Sequence, residues 1–340
     1  MARSRVTIVD IARELGLSKT TVSDALQGRG QVAEATRERV RAAAAELGYV
    51  SNRAAQSLRT NTVGAVGLYV PPIVRDFSFY MEFAFGAVHG AAAHDQDLVL
   101  FARDPELSAR RPLQVDGAIV VDPLPDDPFV RRLVEQGVAV VTAGRCLGPE
   151  AVPVDAVIEA PHAELARTAL DALWAAGRRR PAFLGSDQRF FSSWAHDVRE
   201  AYMGWCGERG VEPRLREIAV DAGPDALRQV VEESLAPADV DALVCGPQGF
   251  AGRVPALLGA RRVAALELVS LVGDPVTELT DAAISCVDVA PGRFGEEAAA
   301  LLNEVLAAGA DGAGGTTIER VHAGRFRPSE RLRAAVSADA

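Results

Sequence analysis

The amino-acid sequence predicts a small all-α part at the N-terminus, followed by an α/β body with parallel sheets. Over the N-terminal part, apolar residues recur at helical spacing. From Val63 onward, continuous apolar runs of strand length alternate with helix-length segments, which is typical of parallel strands covered by helices on both faces. The chain has 340 residues, 49% of them hydrophobic, which is enough for two or three domains with their own cores.

The N-terminal part begins with two short predicted helices. Thr7 and Asp10 form a start that resembles a capping box, and the first helix ends before Gly16. Ser18 caps the second helix, which runs to Leu26. Two short helices joined by a tight turn predict a helix-turn-helix. Such a helix fits the major groove of DNA, where short polar side chains from its first turn reach base edges.

A third predicted helix covers about residues 34–47 and completes a small core. Its apolar side chains at helical spacing are Val40, Ala43, Ala44 and Leu47. Gly48 follows at its C-terminal end. The second helix turns its apolar residues to the same core, and four of its polar residues are predicted to be exposed: Lys19, Thr20, Ser23 and Asp24.

Charge is distributed unevenly along the chain. Residues 1–62 hold ten basic and six acidic side chains, a balance of +4, whereas the remainder holds 26 basic and 40 acidic side chains, a balance of −14. An acidic surface repels the phosphates of DNA, and a basic one attracts them. Any contact with nucleic acid is therefore expected at the N-terminal part.

Four motifs carry a resemblance to a known family. They are TVS in the second helix, TRERV at the start of the third, LGY at its end, and N-x-x-A-x-x-L after it. With these motifs, nearly all of the first sixty residues closely resemble the DNA-binding headpiece and hinge of the lactose/galactose repressor family of bacterial regulators. The resemblance implies a homodimer or tetramer that binds a palindromic operator in double-stranded DNA and represses transcription.

The resemblance also implies roles for individual residues. Two residues are expected to read major-groove bases, namely Lys19 and Thr20. Three are expected to contact the DNA backbone, namely Ser18, Thr21 and Ser23. The hinge motif places Asn52, Ala55 and Leu58 in a helix that lies in the minor groove, where the leucine enters between base steps. The alternative for Leu58 is an ordinary apolar linker residue.

Three positions depart from the family pattern. Asp24 stands where an arginine is usual, Ala33 where a serine usually caps the third helix, and Ser51 where a proline usually precedes the hinge asparagine. A carboxylate at Asp24 cannot make the bidentate contact of arginine with guanine, but it can accept a hydrogen bond from the N4 amino group of cytosine. The alternative is that Asp24 points to solvent and pairs with Arg29.

The body contains eight apolar runs that predict strands: VGAVGLYV, DLVLF, GAIVV, VAVVT, PAFLG, REIAV, DALVC and VSLVG. It resembles the same family's effector-binding core, which is similar to periplasmic sugar-binding proteins and has two α/β lobes with parallel sheets. The resemblance divides the chain into a headpiece at 1–49, a hinge at 50–61 and a core at 62–340. It assigns lobe 1 to about 63–160 and 288–312, and lobe 2 to about 161–287 and 313–332.

Four positions match effector contacts of the family: Phe79, Tyr80, Arg199 and Asp274. The resemblance implies that the aromatic pair stacks on a ring while the arginine and the aspartate bind hydroxyl groups, which suits a sugar or a similar polyol. The alternatives are a surface position for Arg199 and a strand-end turn for Asp274. Because PQGF at 247–250 and GD at 273–274 depart from the family pattern, a degenerate pocket not controlled by a sugar is a further alternative.

The sequence offers no catalytic signature. It contains no GxSxG, GxxxxGK[ST] or HExxH motif, and its four cysteines form no C-x-x-C pair. We therefore expect no enzyme activity, no cofactor and no metal. The sequence shows neither a signal peptide nor a long apolar segment, which predicts a cytoplasmic protein. A two-lobed solute-binding receptor without DNA function is the alternative from another class.

Overall fold

The computed structural model describes residues 6–27, 30–49, 62–75, 77–101, 113–275, 278–279, 281–309 and 316–338. The chain divides into two compact units, Met1–Val63 and Gly64–Ala340. Each unit has its own apolar core. Over the described ranges, no helix combines the length and the apolar character needed to cross a membrane.

Three helices form the first unit: α1 Ile8–Leu15, α2 Lys19–Gln27 and α3 Glu34–Glu46. The predicted start of α1 is confirmed, because the Asp10 carboxylate accepts hydrogen bonds from the Thr7 backbone N–H at 2.9 Å and from the Thr7 hydroxyl at 2.7 Å. Gly16 ends α1 with a φ of 66°. The predicted cap of α2 is also confirmed, since the Ser18 hydroxyl accepts from the Thr21 N–H at 3.0 Å.

The three helices enclose a core of small and branched apolar side chains: Ile11, Ala12, Val22, Ala25, Val40, Ala43 and Ala44. Leu47 was predicted to face this core, but it follows the last residue of α3 and is 36% exposed. The helix ends one residue earlier than predicted because Gly48 adopts a φ of 65° and lets Tyr49 donate its N–H to the Ala44 carbonyl at 2.8 Å.

The second unit is α/β. Its strands are β1 Ala65–Tyr69, β2 Asp97–Phe101, β3 Gly117–Val121, β4 Ala139–Ala143, β5 Ala156–Glu159, β6 Pro181–Ser186, β7 Arg214–Ile218, β8 Ala242–Cys245, β9 Glu267–Ser270, β10 Ile284–Asp288, β11 Ile318–Val321 and β12 Arg325–Arg327. Its helices are α4 Ser78–Ala92, α5 Pro128–Glu135, α6 His162–Ala175, α7 Ser193–Arg209, α8 Pro224–Ser234, α9 Phe250–Arg253, α10 Ala260–Ala265, α11 Pro291–Ala308 and α12 Glu330–Ala338.

The strands form two six-stranded sheets, one in each lobe. The order is β11-β5-β4-β3-β1-β2 in lobe 1 and β12-β10-β9-β8-β6-β7 in lobe 2. β12 runs antiparallel to β10, and the other pairs are parallel. The predicted two-lobed α/β fold with parallel sheets is thus confirmed. The largest apolar core cluster includes residues of both lobes, so the lobes pack against each other.

Each of the eight predicted apolar runs contributes a strand, from β1 to β4 and from β6 to β9. Two expectations were wrong. β2 and β7 were expected to be buried on both faces, but both are edge strands. Val99 and Leu100 of β2 are 40% and 51% exposed, and Arg216 and Glu217 of β7 are exposed. The boundary predicted at residue 313 assigned all of 313–332 to lobe 2, but β11 pairs with β5 in the sheet of lobe 1, and the chain enters lobe 2 only after it.

Helices α4 and α11 cross at glycines. A Cβ atom on Gly86 would lie 1.8 Å from the Gly292 carbonyl oxygen, and one on Gly295 would lie 2.0 Å from the Phe83 carbonyl oxygen. The two backbones therefore approach more closely than any side chain would allow. The other face of α4 carries exposed apolar side chains: Met81, Phe85 and Val88.

Candidate functional site

The first turn of α2 presents polar side chains on the surface of the N-terminal unit. Lys19 and Thr20 are exposed there, as the sequence predicts. The Ser18 and Thr21 hydroxyl groups lie 2.8 Å apart and share a hydrogen bond, so both are oriented by the start of the helix. The turn therefore offers an ammonium group and a short hydroxyl side chain on a rigid helical end.

The remaining predicted DNA contacts are either less exposed than predicted or lie outside the described residues. Ser23 and Asp24 were expected to be exposed, but both are half-buried. Asp24 lies against the turn after α2, since a Cβ atom on Gly30 would be 3.1 Å from its Oδ2 atom. Five residues named in the sequence arguments lie outside the described residues: Arg29, Ser51, Asn52, Ala55 and Leu58.

A cavity lies between the two lobes of the second unit. Its lining residues are Val74, Phe77, Phe79, Tyr80, Val121, Asp122, His162, Phe190, Trp194, Pro247, Gln248, Val220, Val272 and Phe294. Many of them follow the carboxyl ends of strands or begin helices, which is where α/β folds bind ligands. Of the four predicted effector contacts, Phe79 and Tyr80 are placed in this wall, both 6% exposed.

Asp122 is the acidic group of the cavity wall. It follows β3, and its carboxylate accepts a hydrogen bond from the Tyr80 hydroxyl at 2.8 Å. Burial raises the pKa of Asp122 to about 7, although hydrogen bonds from Tyr80 and Trp194 act in the opposite direction. Burial also raises the pKa of Tyr80 well above its usual value. The pair is therefore a polar, weakly acidic centre within an aromatic wall.

Lobe 2 contributes two further polar groups to the wall. Gln248 accepts a hydrogen bond from the Phe79 backbone N–H at 3.4 Å, while its Nε2 atom has no partner. His162 has no partner at Nδ1, and burial together with the nearby Arg145 charge lowers its pKa to about 4. The His162 ring is therefore neutral near pH 7. Both residues expose less than a tenth of their surface.

Asp274 joins the lobes beside the cavity but is not among its lining residues. Its carboxylate accepts a hydrogen bond from Ser78, the first residue of α4, and its backbone N–H donates to Glu278 at 2.9 Å. An acceptor of hydroxyl hydrogens was predicted at this position. The structure instead shows an acceptor whose hydroxyl partner comes from the opposite lobe.

The structure does not place Arg199 in the cavity wall. Trp194, in the first turn of α7, lines the cavity, and Arg199 lies five residues further along the helix. Its Nε atom is 3.9 Å from the Glu217 carboxylate on β7, and its side chain is 37% exposed. Helix α7 directs the guanidinium toward the outer strand of lobe 2, and an effector contact at Arg199 stays a prediction.

A second connection between the lobes is ionic. Arg145, which follows β4 in lobe 1, pairs with Glu159 of the same lobe and with Asp197 of α7 at 2.6 Å. Its backbone N–H also donates to the Ser193 hydroxyl at 3.0 Å. The lobes are therefore linked by the charged contacts of Arg145 as well as by the aromatic wall of the cavity.

Sequence reasoning missed three polar residues of the cavity, namely Asp122, His162 and Gln248. A usable signal existed for two of them, because Asp122 directly follows the predicted strand GAIVV and Gln248 comes shortly after DALVC. Residues after parallel strands gather at one sheet edge. His162 offered no such signal, since it follows β5, a strand that the sequence did not indicate.

Comparison with known proteins gives two matching family profiles. The one described as bacterial regulatory proteins, lacI family, matches residues 7–52, and the periplasmic binding protein-like domain matches residues 170–324. The HTH-type transcriptional regulator CelR of Thermobifida fusca is 30% identical over 320 residues, which cover 88% of this chain and 92% of CelR. The maltose regulon regulatory protein MalI of Escherichia coli K12 is 36% identical over 151 residues, which cover 42% of this chain and 43% of MalI.

Solved structures show the same fold. A transcriptional regulator CelR–cellobiose complex has a TM-score of 0.64 and 24% identity, with 96% of this chain and 100% of that chain covered. The Lac repressor dimer bound to operator and an anti-inducer has a TM-score of 0.77 and 17% identity, with 97% and 99% covered. The fold and the helix-turn-helix define a DNA-binding transcriptional regulator rather than an enzyme. The chain belongs to the lacI family of bacterial regulatory proteins.

Proposed function

We propose that this regulator binds a palindromic operator as a homodimer in the cytoplasm, represses transcription there, and is controlled by a small polar effector, a sugar, in the cavity between its lobes. The observation that carries the proposal is the lacI-family match over residues 7–52, which includes the exposed polar turn of α2. The Lac repressor, which shares the fold, was solved as a dimer on its operator.

The proposed DNA contacts follow the order of the helix-turn-helix. Lys19 and Thr20 read base edges in the major groove, because they are exposed at the first turn of α2. Ser18, Thr21 and Ser23 contact phosphates nearby. Asn52, Ala55 and Leu58 act as a hinge at 50–61, between the headpiece and the core. Asp24 is half-buried, so we assign it to the support of the turn rather than to base reading.

The homodimer is supported by α4. Met81, Phe85 and Val88 are spaced by four and three residues, so they lie on one face of this helix, and they are exposed by 47%, 61% and 42%. A continuous apolar stripe of this kind is typical of a surface that another protein covers. A second copy is the occupant we propose, because a palindromic site presents two identical half-sites to two identical readers.

Effector control is supported by the position of the cavity. Phe79 and Tyr80 come from lobe 1, and Trp194 and Gln248 come from lobe 2, so a ligand held by both sets changes how the lobes close. A sugar ring suits the aromatic wall, and CelR, a relative of this chain, was solved with cellobiose. A ligand that favours one lobe arrangement shifts the population of the form that binds DNA, typically by about 1–3 kcal/mol.

The proposal is tested by selecting DNA from a random library with the full-length protein and then measuring the affinity for the selected sites by gel shift at several salt concentrations. We expect a palindrome, and an affinity that falls steeply as salt rises because phosphate contacts release counterions. A set of small sugars is then added, and one of them is expected to change the affinity for the selected site. Absence of salt-dependent binding to any DNA would favour the solute-receptor alternative.

A further inference from the structure

The wall of the inter-lobe cavity is aromatic. Among the described residues, six Phe, Tyr and Trp side chains line it: Phe77, Phe79, Tyr80, Phe190, Trp194 and Phe294. Phe79 and Tyr80 meet edge to face with their ring centroids 5.1 Å apart, so the stacking surface is fixed by packing within lobe 1. In the part of the chain that the structure describes, neither lysine nor arginine lines the cavity.

Two polar atoms of this wall lack a hydrogen-bond partner. The orientation of the Gln248 amide is fixed, because its Oε1 atom must be the end that accepts the Phe79 N–H, and this leaves Nε2 as a donor. The Nδ1 atom of His162 is the second. Gln248 is 6% and His162 is 8% exposed, so water reaches neither side chain freely. A buried polar atom without a partner is unfavourable, and a ligand hydroxyl group, which can both donate and accept, would satisfy either atom.

The electrostatic surroundings of the cavity disfavour anions. Asp122 lines the wall, and the Asp274 carboxylate accepts a hydrogen bond from Ser78, which stands between the lining residues Phe77 and Phe79. The nearby guanidinium of Arg145 is already paired with Glu159 and Asp197. An anionic ligand would therefore be buried beside carboxyl groups without a cation to compensate its charge.

We propose that the cavity binds an uncharged ring compound, that Gln248 Nε2 and His162 Nδ1 are the polar groups that recognise its oxygen substituents, and that anionic rings are excluded. This inference rests on the proposed function, since it specifies the effector of the same cavity. Gln248 acts as a specificity-determining residue: its Oε1 atom holds the start of α4, and its Nε2 atom contacts the ligand. One amide thereby couples ligand binding to the contact between the lobes.

The inference is tested by isothermal titration calorimetry on the full-length protein with two neutral probes, D-glucose and cellobiose, and two anionic probes, D-glucuronate and glucose 6-phosphate. We expect a neutral probe to bind and each anion to bind at least about tenfold more weakly. Gln248→Leu should weaken the neutral probe about five- to tenfold, because one hydrogen bond is lost. The matched control is Gln229→Leu, since Gln229 is an exposed residue whose Nε2 donates to Glu233 on the same helix.

Gln229→Leu is expected to leave the melting temperature and the affinity for the selected DNA site unchanged, and the melting temperature of Gln248→Leu is measured to show that this variant is folded. Tight binding of an anion, or a neutral probe that binds Gln248→Leu as well as the wild type, would overturn the inference while leaving the proposed regulator intact. If no probe binds although the same sample binds DNA, both sugar control and this inference are wrong. If the sample fails to bind DNA but binds a neutral probe with the expected selectivity, the inference holds and the proposed function fails.

Discussion

At the scale of single residues, the energetics of the cavity depend on Asp122. Its carboxyl is buried, lies in an aromatic wall, and accepts a hydrogen bond from the Tyr80 hydroxyl. Burial disfavours a charged carboxylate more than a neutral carboxyl group, and the pKa of Asp122 therefore rises to about 7. The protonation state of Asp122 therefore changes in the range where the protein is expected to work, and the free energy of folding must change with it.

This argument predicts a pH-dependent stability difference between the wild type and Asp122→Asn. The pKa of Asp122 is higher in the folded state than in the unfolded state, so the folded protein keeps a proton that the unfolded chain loses above about pH 4. The stability of the wild type relative to the variant should therefore fall as pH rises from about 4 to about 7, by at most about 4 kcal/mol, and level off above that. Urea unfolding at about pH 5, 6, 7 and 8 measures this difference.

His162 acts in the opposite direction, because its pKa is lowered to about 4 and its neutral form is favoured as pH rises. Its contribution is common to both proteins and cancels in the difference. Asp225→Asn makes the same substitution at an exposed position on α8 and is measured as the control. A constant gap between the wild type and Asp122→Asn would contradict the assignment of a raised pKa to the Asp122 carboxyl.

Base reading by α2 is a second residue-scale prediction. Lys19→Ala and Thr20→Ala should relax the sequence preference within each half-site, with discrimination at the contacted base pair falling by about 1–3 kcal/mol. Arg41→Ala, on α3, is the control, and it should lower affinity for all sequences without changing the preferred bases. Selection from a random DNA library gives the base profile of each variant. An unchanged profile for both α2 variants would assign base reading to another segment.

The sequence could predict some site residues and not others for a geometric reason. Phe79 and Tyr80 reach the cavity because they lie in the first turn of α4, which begins at the cavity between the lobes, a position that the family pattern gives directly. Whether Arg199 contacts an effector depends on how α7 is oriented relative to both lobes. In this structure the Arg199 side chain points to Glu217. Long-range placement of this kind is not contained in local sequence patterns.

At the scale of elements, the apolar runs predicted six interior strands, namely β1, β3, β4, β6, β8 and β9, and the edge strands β2 and β7. The interior strands β5 and β10 were missed, because no continuous apolar run was identified over them. β3, with GAIVV, is fully buried and was recognised from its composition. Two other strands lie at sheet edges and are largely polar, namely β11 with the sequence IERV and β12 with the sequence RFR. Neither contains a continuous apolar run, so the sequence did not indicate them. The error in the lobe boundary near residue 313 follows from the same cause, since β11 could be assigned to a sheet only by its pairing.

The crossing of α4 and α11 predicts a large effect from a single methyl group. Gly295→Ala would place a Cβ atom 2.0 Å from the Phe83 carbonyl oxygen, so the helices must separate. We expect the free energy of unfolding to fall by at least about 2 kcal/mol. Gly207→Ala is the matched control, because Gly207 is an exposed residue of α7 with no atom near the added Cβ, and its stability should rise by about 0.5–1 kcal/mol. Thermal and urea unfolding test both, and equal effects would contradict the close crossing.

At the scale of the whole molecule, charge and exposed apolar surface have separate roles. The N-terminal part carries a positive balance while the remainder is acidic, so attraction to DNA is confined to one end of the sequence. The apolar stripe of α4 belongs to the acidic unit, and its surface is therefore suited to another protein rather than to DNA. Operator binding by a dimer needs both features, although they lie on different units.

This separation predicts that dimerisation and the fold of the second unit can be uncoupled. Phe85→Glu places a charge in the centre of the stripe formed by Met81, Phe85 and Val88, where a second copy would bury it without a partner. Sedimentation velocity should then show one chain instead of two at micromolar concentration. Affinity for the palindromic site should fall to that of a single half-site, because the two readers are no longer joined.

Met203→Glu is the control, since it adds the same charge at an exposed apolar position of α7, and this variant should remain a dimer with full affinity. A Phe85→Glu protein that stays dimeric, with unchanged melting temperature, would exclude the α4 stripe as the dimer surface. The proposed DNA-reading role of the N-terminal unit would be unaffected by that result.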